Sequence, residues 1–552
     1  MAQKLFSFLL VYAILNCKPI YDSKIIKNSF REDIQFILVP KKFNILESDW
    51  VFGRTDSHFD KKELIKYLKN YGRTIDDLKK IPNINYREVD EEVILNIAKT
   101  SHSTGYDYDA NIPISFYGKE WFKEGEYSDK IEQQNIVPTL TKILKHRLPN
   151  GVTASSVNKI LKETTIKPEI IVTVVIDQGG QQAYNAHPNS FPNIAKLRKE
   201  SAYFPNARVG HLDAHTAVGH MAIGTGSYPS ASSVIGNTFF KLEKGKITGA
   251  EIYAVDETKV NTEELAVETL ADVLDSENAD KSEVISQCYA LRASIGMAGH
   301  GAFKQKKVSY QGDRDFVYWL NKKDGTWITD QRYYSLPYAS YSYNSYRTFK
   351  ESYPNGWLSH NASTEEELKK FWSVIMATPA QTKMEGELFR KAIQNHIIDA
   401  GKKLDGNTDL AYVTFKALDA SGHSFGFESI ESTETLKEID NQVGLLLEML
   451  TKEYGDKFIF ILTADHGCAP LPEITGGKRL DLKSVFTKVN ELIPKDTDES
   501  LIKFMTVGQI GLNLETMKKY SLKESDIRKK ILEIEVDGEN FFQDVLRSKD
   551  YQ

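Results

Sequence analysis

Hydrophobic positions in the 552-residue chain follow two kinds of pattern from about residue 165 onward. Short apolar or β-branched runs without helical periodicity predict buried strands, at residues 169–176, 283–287, 410–415 and 457–462. Apolar residues at helical spacing predict helices among them, at residues 190–201 and 432–450. This alternation predicts an α/β fold, with a mostly parallel sheet sandwiched between layers of helices.

The predicted helices have recognisable ends, whereas one long stretch has no clear pattern. Ser190 is expected to cap the first helix, with Pro192 in its first turn, and Gly455 is expected to end the second helix region. Residues 318–346 are rich in Tyr, Ser and Asn and show no period. We expect this stretch to be part of an inserted cap segment that lies over the edge of the sheet.

The first residues of the chain form a separate apolar run. Residues 5–15 read LFSFLLVYAIL, which is too short to cross the ~30 Å core of a bilayer as a helix but is typical of a signal peptide. The run leads to Cys17, and this end resembles a bacterial lipoprotein signal, in which the cysteine becomes lipidated. Asn16 departs from the small residue usual there. We expect export, to the periplasm or as a membrane-anchored lipoprotein of a bacterium; the alternative is a buried core helix.

Composition narrows the classes of function and of metal site. With 70 basic and 76 acidic residues the formal net charge is -6, so the chain lacks the basic excess that binding to a nucleic-acid duplex requires. The three cysteines, Cys17, Cys288 and Cys468, cannot form a disulfide framework, and no CxxC pair is present. Any metal must therefore be bound by His, Asp and Glu. Whether Cys288 and Cys468 pair stays open.

Polar residues directly follow three of the predicted strands. They are Asp177 after the first strand, Asp419 and His423 after the third, and Asp465 and His466 after the fourth. Ligands gather at the carboxyl ends of strands in open parallel sheets. Carboxylate and imidazole ligands suit zinc or a similar first-row ion. Each residue taken alone could instead be a turn former or a helix cap.

A candidate nucleophile lies in residues 211–237, which are dense in His, Thr, Ser and Gly. Thr216 precedes a predicted helix at residues 217–223, where the positive end of the helix dipole favours an incoming phosphoryl group. Contact with a metal would lower the pKa of its hydroxyl and make the alkoxide accessible. The alternative is that Thr216 is an ordinary N-cap.

The ordered set of motifs resembles the alkaline phosphatase superfamily. The resemblance is closest to the branch that contains nucleotide pyrophosphatase/phosphodiesterases and the phosphate-irrepressible bacterial alkaline phosphatases. It covers most of residues 169–470, in the blocks VVIDQ, TAVGHMAIGTGSYPSASSVIGN, RASIGMAGH, TPAQTKMEGELFRKAI, DASGHSFG and LTADHG. The blocks occur in the order of the family, and together they are far more specific than any one of them.

The resemblance implies two zinc ions. One would be held by Asp177, Thr216, Asp465 and His466, and the other by Asp419, His423 and a histidine that the family has near its C-terminus. The 82 residues after LTADHGCAP contain no histidine. Residues 101–144, however, are similar to the family's closing segment, and there His102 takes the place of the missing ligand.

We infer a circular permutation, in which the family's C-terminal part has moved in front of its N-terminal part. The expected division is a signal peptide at residues 1–17, a segment equivalent to the family C-terminal part at 18–150, a linker at 151–168, and the main catalytic part at 169–552 with an insertion at about 300–360. The ends created by the permutation would lie near Ser23 and Ser548. The alternative is a chance similarity in a separate N-terminal domain.

The resemblance also implies a mechanism. Thr216 would attack phosphorus to form a phosphothreonine, Asn237 would donate to a phosphate oxygen, and Arg292 would clamp the phosphate through its guanidinium fork. The monoesterase pattern has a lysine two residues before that arginine, but this chain has Ala290. The departure leaves the substrate open, because a dianionic monoester is less well matched here.

Our first interpretation is an exported two-zinc phosphohydrolase that acts on small phosphate esters, an alkaline phosphomonoesterase. The closest alternative is a phosphodiesterase or nucleotide pyrophosphatase with the same metals. A third interpretation is a non-catalytic surface-binding lipoprotein on a phosphatase fold. The absence of a CxPxR sequence argues against sulfatase chemistry through a modified cysteine. The sequence leaves the oligomeric state open.

Overall fold

A computed structural model describes residues 36–47, 54–82, 84–237, 240–243, 246–250, 254–256, 259–262, 265–302, 312–362, 364–370 and 372–547. The expected leader with Cys17, and both expected ends of the permutation, lie outside these residues. Among the described residues no helix has the length and hydrophobicity needed to cross a membrane.

The strands of the described residues are numbered in chain order. They are β1 Phe36–Pro40, β2 Ile45–Glu47, β3 Arg54–Asp60, β4 Asn85–Val89, β5 Glu92–Ala98, β6 Asn111–Tyr117, β7 Gly125–Glu126, β8 Ile170–Ile176, β9 Ala202–Arg208, β10 Phe240–Glu243, β11 Lys246–Ala250, β12 Ala254–Asp256, β13 Lys259–Val260, β14 Val284–Gln287, β15 Phe316–Asn321, β16 Thr326–Ile328, β17 Asp409–Phe415, β18 Phe458–Thr463, β19 Arg479–Asp481, β20 Ile502–Thr506, β21 Gln509–Leu512, β22 Glu535–Val536, β23 Glu539–Asn540 and β24 Phe542–Arg547.

The helices of the described residues are numbered in the same way. They are α1 Lys61–Asn70, α2 Ile75–Lys79, α3 Asp107–Ala110, α4 Ile136–Leu144, α5 Gln181–Ala186, α6 Pro192–Lys199, α7 Thr216–Thr225, α8 Pro229–Ser232, α9 Leu270–Asn278, α10 Leu291–Ala298, α11 Ser345–Ser352, α12 Glu365–Lys370, α13 Trp372–Ala377, α14 Pro379–Ile393, α15 Ala417–Phe425, α16 Ile430–Tyr454, α17 Pro472–Thr475, α18 Leu482–Asn490, α19 Leu514–Lys519 and α20 Glu524–Leu532.

A nine-stranded sheet forms the centre of the molecule, in the order β16-β15-β14-β17-β8-β18-β6-β9-β7. The five adjacent strands β15, β14, β17, β8 and β18 run parallel to one another, so their carboxyl ends meet at one edge. Strand β6 is antiparallel to both β18 and β9. The sheet therefore confirms the predicted α/β fold with a mostly parallel sheet.

Strand β8 shows why the sheet is covered on both faces. All seven of its residues are buried. Successive side chains point to opposite faces, so Ile171 and Val175 join one hydrophobic core, whereas Val172 and Val174 join the other. Long helices such as α14 and α16 complete the second core through residues including Leu388. A continuous apolar run is the sequence expected for a strand buried in this way.

The structure differs from the predicted elements at two places. The helix predicted from Ser190 begins at Pro192 with Phe191 at the N-cap, so Ser190 does not cap it. The Tyr-rich stretch 318–346 was expected to lie over the sheet edge, but its first part belongs to β15 and β16, the last two strands at that edge. Buried aromatic residues of β15, such as Trp319, hid the strand pattern, because the segment lacks an alternation of apolar and polar positions.

A second sheet joins the beginning of the described chain to its end. Its four strands have the order β20-β21-β1-β24, and β1 is antiparallel to both neighbours. Phe36 pairs with Arg547 across β1 and β24. The early residues thus contribute β6 to the central sheet and β1 to this second sheet.

Candidate active site

The predicted site residues converge at the carboxyl end of the central sheet, around a cavity of about 620 Å³. Six of them line the cavity: His102, Thr216, Asn237, Arg292, Asp419 and His423. The other three are completely buried and come directly after β8 or shortly after β18: Asp177, Asp465 and His466. Residues that are distant in sequence are thus brought together, because the carboxyl ends of parallel strands meet at one edge.

One group of ligand atoms surrounds the imidazole of His466. Its Nε2 lies 3.2 Å from Asp465 Oδ2 and 3.6 Å from Asp177 Oδ1. Its Nδ1 lies 2.9 Å from the carbonyl oxygen of Gly467, to which it donates, so Nε2 is left as the ligand nitrogen. Burial lowers the pKa of His466, which keeps the imidazole in the neutral form that binds metals.

A second group surrounds the carboxylate of Asp419. Asp419 and His423 lie four residues apart on α15, and Asp419 Oδ1 is 3.2 Å from His423 Nε2. The same oxygen is 3.8 Å from Nε2 of His102, which precedes β6 in the chain. His102 donates from Nδ1 to the carbonyl of Ala214, and His423 lies 2.8 Å from the carbonyl of Thr100, so both present Nε2 to the site.

Four buried ligand atoms of these residues have no hydrogen-bond partner in the described part of the chain. They are Asp177 Oδ1, Asp419 Oδ1, Asp465 Oδ2 and His466 Nε2. Buried polar atoms without a partner are costly, and a divalent metal ion would satisfy all four. Carboxylate oxygen and imidazole nitrogen are donors that such ions accept. The residues present therefore fit a metal centre.

The spatial grouping of ligand atoms differs in two details from the grouping implied by the family resemblance. His466 lies close enough to His102 and Asp419 to share an ion with them, and His220 groups with Asp177 and Asp465. The two nitrogens of His220 lie 2.8 Å from the carbonyl of Thr216 and 2.9 Å from Thr414 Oγ1. Because both nitrogens have partners, His220 supports the helix and offers no lone pair to an ion.

Lys416 is a site residue that the sequence did not reveal. Its Nζ donates to Asp177 Oδ2 at 2.7 Å and to Asp419 Oδ2 at 2.6 Å, so it joins the two groups. It also lies 3.1 Å from Thr216 Oγ1. Each carboxylate uses Oδ2 for the lysine and keeps Oδ1 facing imidazole nitrogens. The ammonium therefore orients both carboxylates for metal binding.

Burial and neighbouring charges shift the pKa values of the carboxylates in different directions. Burial, reinforced by Asp419, raises the pKa of Asp177 to about 7. Burial also raises the pKa of Asp465. Burial acts on Asp419 in the same direction, but Lys416 and His423 outweigh it and lower the pKa of that group. A single buried cation does not offset three carboxylates, and the remaining negative charge favours a divalent ion.

The nucleophile candidate stands at the start of a helix. Thr216 is the first residue of α7 and is 1% exposed, with His215 at the N-cap. The free amide groups of the first helical turn give this position a partial positive charge, which favours a phosphoryl group. Gly219, one turn along, packs tightly against Asp465, since a Cβ there would lie 2.7 Å from the Asp465 carbonyl oxygen.

Asn237 and Arg292 form the side of the cavity expected to hold the phosphate. Asn237 Oδ1 accepts from the backbone N–H of Ala217 at 2.9 Å and from Arg292 Nε at 3.1 Å. The side-chain oxygen is thus used within the protein, and the amide nitrogen of Asn237 is the group that can donate to a substrate. Ala290 lies at the N-cap of α10, one residue before this helix.

Other residues that line the cavity come from segments without a recognised motif. The C-terminal region contributes Leu482, Met505 and Val507, and the region before α14 contributes Trp372. They add apolar side chains to the lining of a cavity whose other residues are mostly polar or charged. No local sequence signal marks these residues, because their placement depends on the packing of segments far apart in the chain.

A model of the Type I phosphodiesterase / nucleotide pyrophosphatase family matches residues 171–552. The alkaline phosphatase PhoV of Synechococcus elongatus is 26% identical over 61% of this chain and 70% of its own length. A protein of Myroides odoratus named as a calcium-transporting ATPase is 25% identical over 70% of this chain and 77% of its own. The crystal structure of wild-type alkaline phosphatase PafA superposes with a TM-score of 0.54 at 21% identity, over 67% of this chain and 77% of that one.

The fold and the site together define a metal-dependent phosphoester hydrolase. A threonine at a helix N-terminus faces an arginine and a cluster of carboxylates and imidazoles that fits divalent ions. Since the family model spans more than two thirds of the sequence, the chain belongs to the Type I phosphodiesterase / nucleotide pyrophosphatase family. Its substrates are small phosphate esters.

Proposed function

We propose that the protein is an alkaline phosphomonoesterase that uses two zinc ions and a phosphothreonine intermediate on Thr216. The observation that supports this most is the position of Thr216 at the start of α7, 3.1 Å from a buried ammonium and beside the metal-type ligand cluster. A hydroxyl placed in this way can be deprotonated and can attack phosphorus without any movement of the backbone.

Seven residues would hold the metal ions. Asp177, Asp465 and His466 would bind one ion together with Thr216, whereas Asp419, His423 and His102 would bind the other. Mixed oxygen and nitrogen ligands favour zinc over magnesium or calcium, which prefer oxygen alone. When bound, the ions would lower the pKa of the threonine hydroxyl and stabilise negative charge on the leaving oxygen.

The reaction at the threonine has two displacements. Thr216 loses its hydroxyl proton to solvent, its Oγ1 forms a bond to phosphorus while the ester P–O bond breaks, and the alcohol leaves with a proton from solvent. Water then loses a proton and forms a new P–O bond as the Oγ1–P bond breaks, and Oγ1 takes up a proton, which releases phosphate and restores Thr216. Asn237 and Arg292 hold the non-bridging oxygens during both steps, through an amide N–H and the guanidinium fork.

Lys416 supports a monoester substrate. The family's monoesterase pattern has a lysine where this chain has Ala290, but Lys416 supplies one ammonium to the same cavity. Lys416 would thus offer a cation to the substrate from a position other than that of the lysine in the full pattern. A dianionic monoester gains more from this second cation than a monoanionic diester does. The diesterase remains the alternative, since the family description covers phosphodiesterases.

The nucleophile is tested by trapping the intermediate. Wild-type protein mixed with a phosphomonoester and quenched in acid should carry one phosphate on Thr216, identified by peptide mass spectrometry. Thr216→Ala should lose this label and at least about a thousandfold in kcat, whereas Thr216→Ser should keep both in part. A Thr216→Ala protein with full activity would refute the assignment.

The substrate class is tested by rates on a monoester and a diester of the same alcohol. We expect kcat/KM to be higher for the monoester, and elemental analysis of the purified enzyme to find two zinc ions per chain. A dominant diester rate would establish the phosphodiesterase alternative while leaving the metal assignment intact.

We also propose that the chain is a circular permutation of the family fold. Support comes from the front of the chain, which supplies β6 to the interior of the central sheet, between β18 and β9, and His102 to the site. The linker packs as part of the fold: Trp121 Nε1 donates to the carbonyl of Ile166, and Ile160 is completely buried.

Export remains a proposal based on the leader. We propose that the chain is secreted by a bacterium and that Cys17 carries a lipid. Mass spectrometry of the mature N-terminus tests both parts. A lipidated Cys17 is expected; cleavage at another residue would support a periplasmic enzyme, and an intact Met1 would refute export.

A further inference from the structure

The edge of the central sheet opposite to the active site carries a concentration of acidic residues. Glu283, Asp315 and Asp409 directly precede or begin strands β14, β15 and β17 at their amino ends. The seven-residue strand β17 spans roughly 20 Å, so this edge is well separated from the catalytic ligands at the carboxyl ends. The acids here play no part in the proposed reaction.

Three of the neighbouring carboxylates could hold one ion. Asp275 at the end of α9, Asp280 in the loop that follows and Asp313 before β15 each present an oxygen, and the three oxygens lie within 4.8 Å of one another. The loop passes through two consecutive left-handed residues, Ala279 and Asp280, with φ of 54° and 57°. It brings Asp280 back toward Asp275, whose carbonyl accepts from the Asp280 N–H at 3.0 Å.

Two of the acids are buried with unpartnered oxygens. Asp275 and Asp315 are each 1% exposed. Asp275 Oδ1 and both carboxylate oxygens of Asp315 lack a hydrogen-bond partner in the described structure. The charges that act most strongly on Asp315 after burial are those of Asp275 and Asp313, so its carboxylate belongs to the same cluster. Orphaned buried oxygens are the feature that a structural hydrogen-bond network would lack.

The nearby cations are already engaged elsewhere. Lys402 pairs with Glu283, and His300 pairs with Asp272 at 3.0 Å. Among the described residues none forms an ion pair with Asp275, Asp313 or Asp315, although surface ion pairs are common in the rest of the molecule. The four clustered acids therefore keep their mutual repulsion.

The effect of this repulsion is visible in the carboxyl groups themselves. Burial raises the pKa of Asp275, and the charges of Asp272 and Asp313 add to it. Burial and the charges of Asp275 and Asp313 raise the pKa of Asp315 in the same way. A bound cation would remove both the desolvation cost and the repulsion.

We propose that Asp275, Asp280, Asp313 and Asp315 form a structural binding site for a calcium ion. All the side-chain donors are oxygens, which excludes a preference for zinc and favours a hard cation. The site combines a helix end with an irregular loop, and such flexible backbone suits the variable coordination of calcium better than the strict octahedron of magnesium. The ion would tie α9 to the start of β15.

The first experiment measures calcium binding to the zinc-loaded enzyme by equilibrium dialysis with radioactive calcium. Zinc occupies the catalytic ligands, so we expect one calcium ion per wild-type chain. Asp275→Asn and Asp315→Asn should each weaken binding at least about tenfold. Asp465→Asn, the matched control at the active site, should bind calcium as the wild type does. Absence of binding to the wild type, or unchanged binding to both cluster variants, would overturn the proposal.

The second experiment separates a metal site from protonated acids. Without calcium, Asp315→Asn should melt at or above the wild-type temperature, because the substitution removes a buried like charge. With calcium at about a hundred times its Kd, the wild type should melt about 2 °C higher and Asp315→Asn should not shift. A wild type whose melting temperature ignores calcium would contradict the proposal.

The third measurement locates the ion without changing any acid. Trp319 lies on β15, four residues after Asp315, and is completely buried. Terbium, a calcium substitute, should show tryptophan-sensitised luminescence that calcium displaces and that falls in Trp319→Phe. Equal luminescence in Trp319→Phe would place the ion elsewhere and overturn the assignment.

Discussion

Lys416 joins two parts of the site that the family resemblance treats as separate ion positions. Its ammonium is buried and contacts one carboxylate from each group, together with the threonine hydroxyl. Burial acts to lower the pKa of Lys416, but the charges of Asp177 and Asp419 outweigh it and raise the pKa. The lysine is therefore a permanent cation of the site.

Replacement of Lys416 should discriminate between substrates. Lys416→Met keeps the length of the side chain but removes the charge. We expect kcat/KM for the phosphomonoester to fall about 100-fold and that for the diester of the same alcohol to fall by less, because the dianion interacts more strongly with the lost cation. Lys452→Met, on the exposed end of α16, is the matched control. Equal losses on both esters would show that Lys416 has a purely structural role.

A second residue gives a prediction about pH. Burial raises the pKa of Glu385 to about 8, although a hydrogen bond from Gln381 partly opposes it. The pKa of Glu385 in the folded state lies above its pKa in the unfolded chain. The contribution of this group to the free energy of unfolding is therefore fully present below about pH 4.5 and is lost as the pH rises toward 8. The melting temperature of Glu385→Gln minus that of the wild type should therefore be about 3 °C larger at pH 8 than at pH 5.

Calorimetry at the two pH values checks this prediction. Glu387→Gln changes a partly exposed residue of the same helix and serves as the control. A difference between wild type and Glu385→Gln that is the same at pH 5 and pH 8 would mean that the buried carboxyl does not titrate in this range.

At the scale of elements, the sequence predicts the buried strands and helices better than the segments that connect them. The strand at residues 169–176 was found at Ile170–Ile176, and the helix predicted at 432–450 extends over Ile430–Tyr454. Lys416 was missed because it directly follows the strand predicted at residues 410–415 and belongs to none of the recognised motifs. The strand ends at Phe415, and the chain then turns into α15, which places Lys416 near Asp419.

The close approach of α7 to the loop after β18 leads to a prediction for Gly219. An added Cβ would lie 2.7 Å from the Asp465 carbonyl oxygen, and backbone cannot move aside cheaply. Gly219→Ala should displace the helix and with it Thr216, lowering kcat about 10- to 100-fold. Gly444→Ala, where the added atom meets only the Asn193 side chain, should keep kcat close to that of the wild type. Steady-state kinetics measure this effect, and a fully active Gly219→Ala would contradict the proposed displacement of Thr216.

At the scale of the whole molecule, the motifs predicted the catalytic residues but not the apolar lining of the cavity. His102, Asp419 and His423 are far apart in sequence and meet as the family order implies. The apolar residues Trp372 and Met505 also line the cavity but have no recognisable motif, because their placement depends on the packing of segments far apart in the chain. Family resemblance therefore predicts which distant residues meet only where those residues belong to a motif of the family.

The permutation proposal predicts that the chain can be reordered. A protein with residues 169–552 followed directly by residues 23–168 should fold, bind zinc and keep kcat within about tenfold of the wild type, because β1 and β24 are already neighbours. Zinc content and steady-state kinetics would check this. A matched reordering cut inside β6, between residues 113 and 114, should fail to fold, since it interrupts a strand in the middle of the sheet. An inactive first protein would contradict the proposal.

The pairing of β1 with β24 has a consequence for synthesis. Strand β1, at Phe36–Pro40, leaves the ribosome long before its partner β24, at Phe542–Arg547. Strand β6 likewise waits for β18, which ends at Thr463, before it has a neighbour on that side. Contacts of such high sequence separation form late and slowly. Strand β1 and the β18 side of β6 must therefore stay unpaired, with apolar residues exposed to other chains, until β24 and β18 have been synthesised.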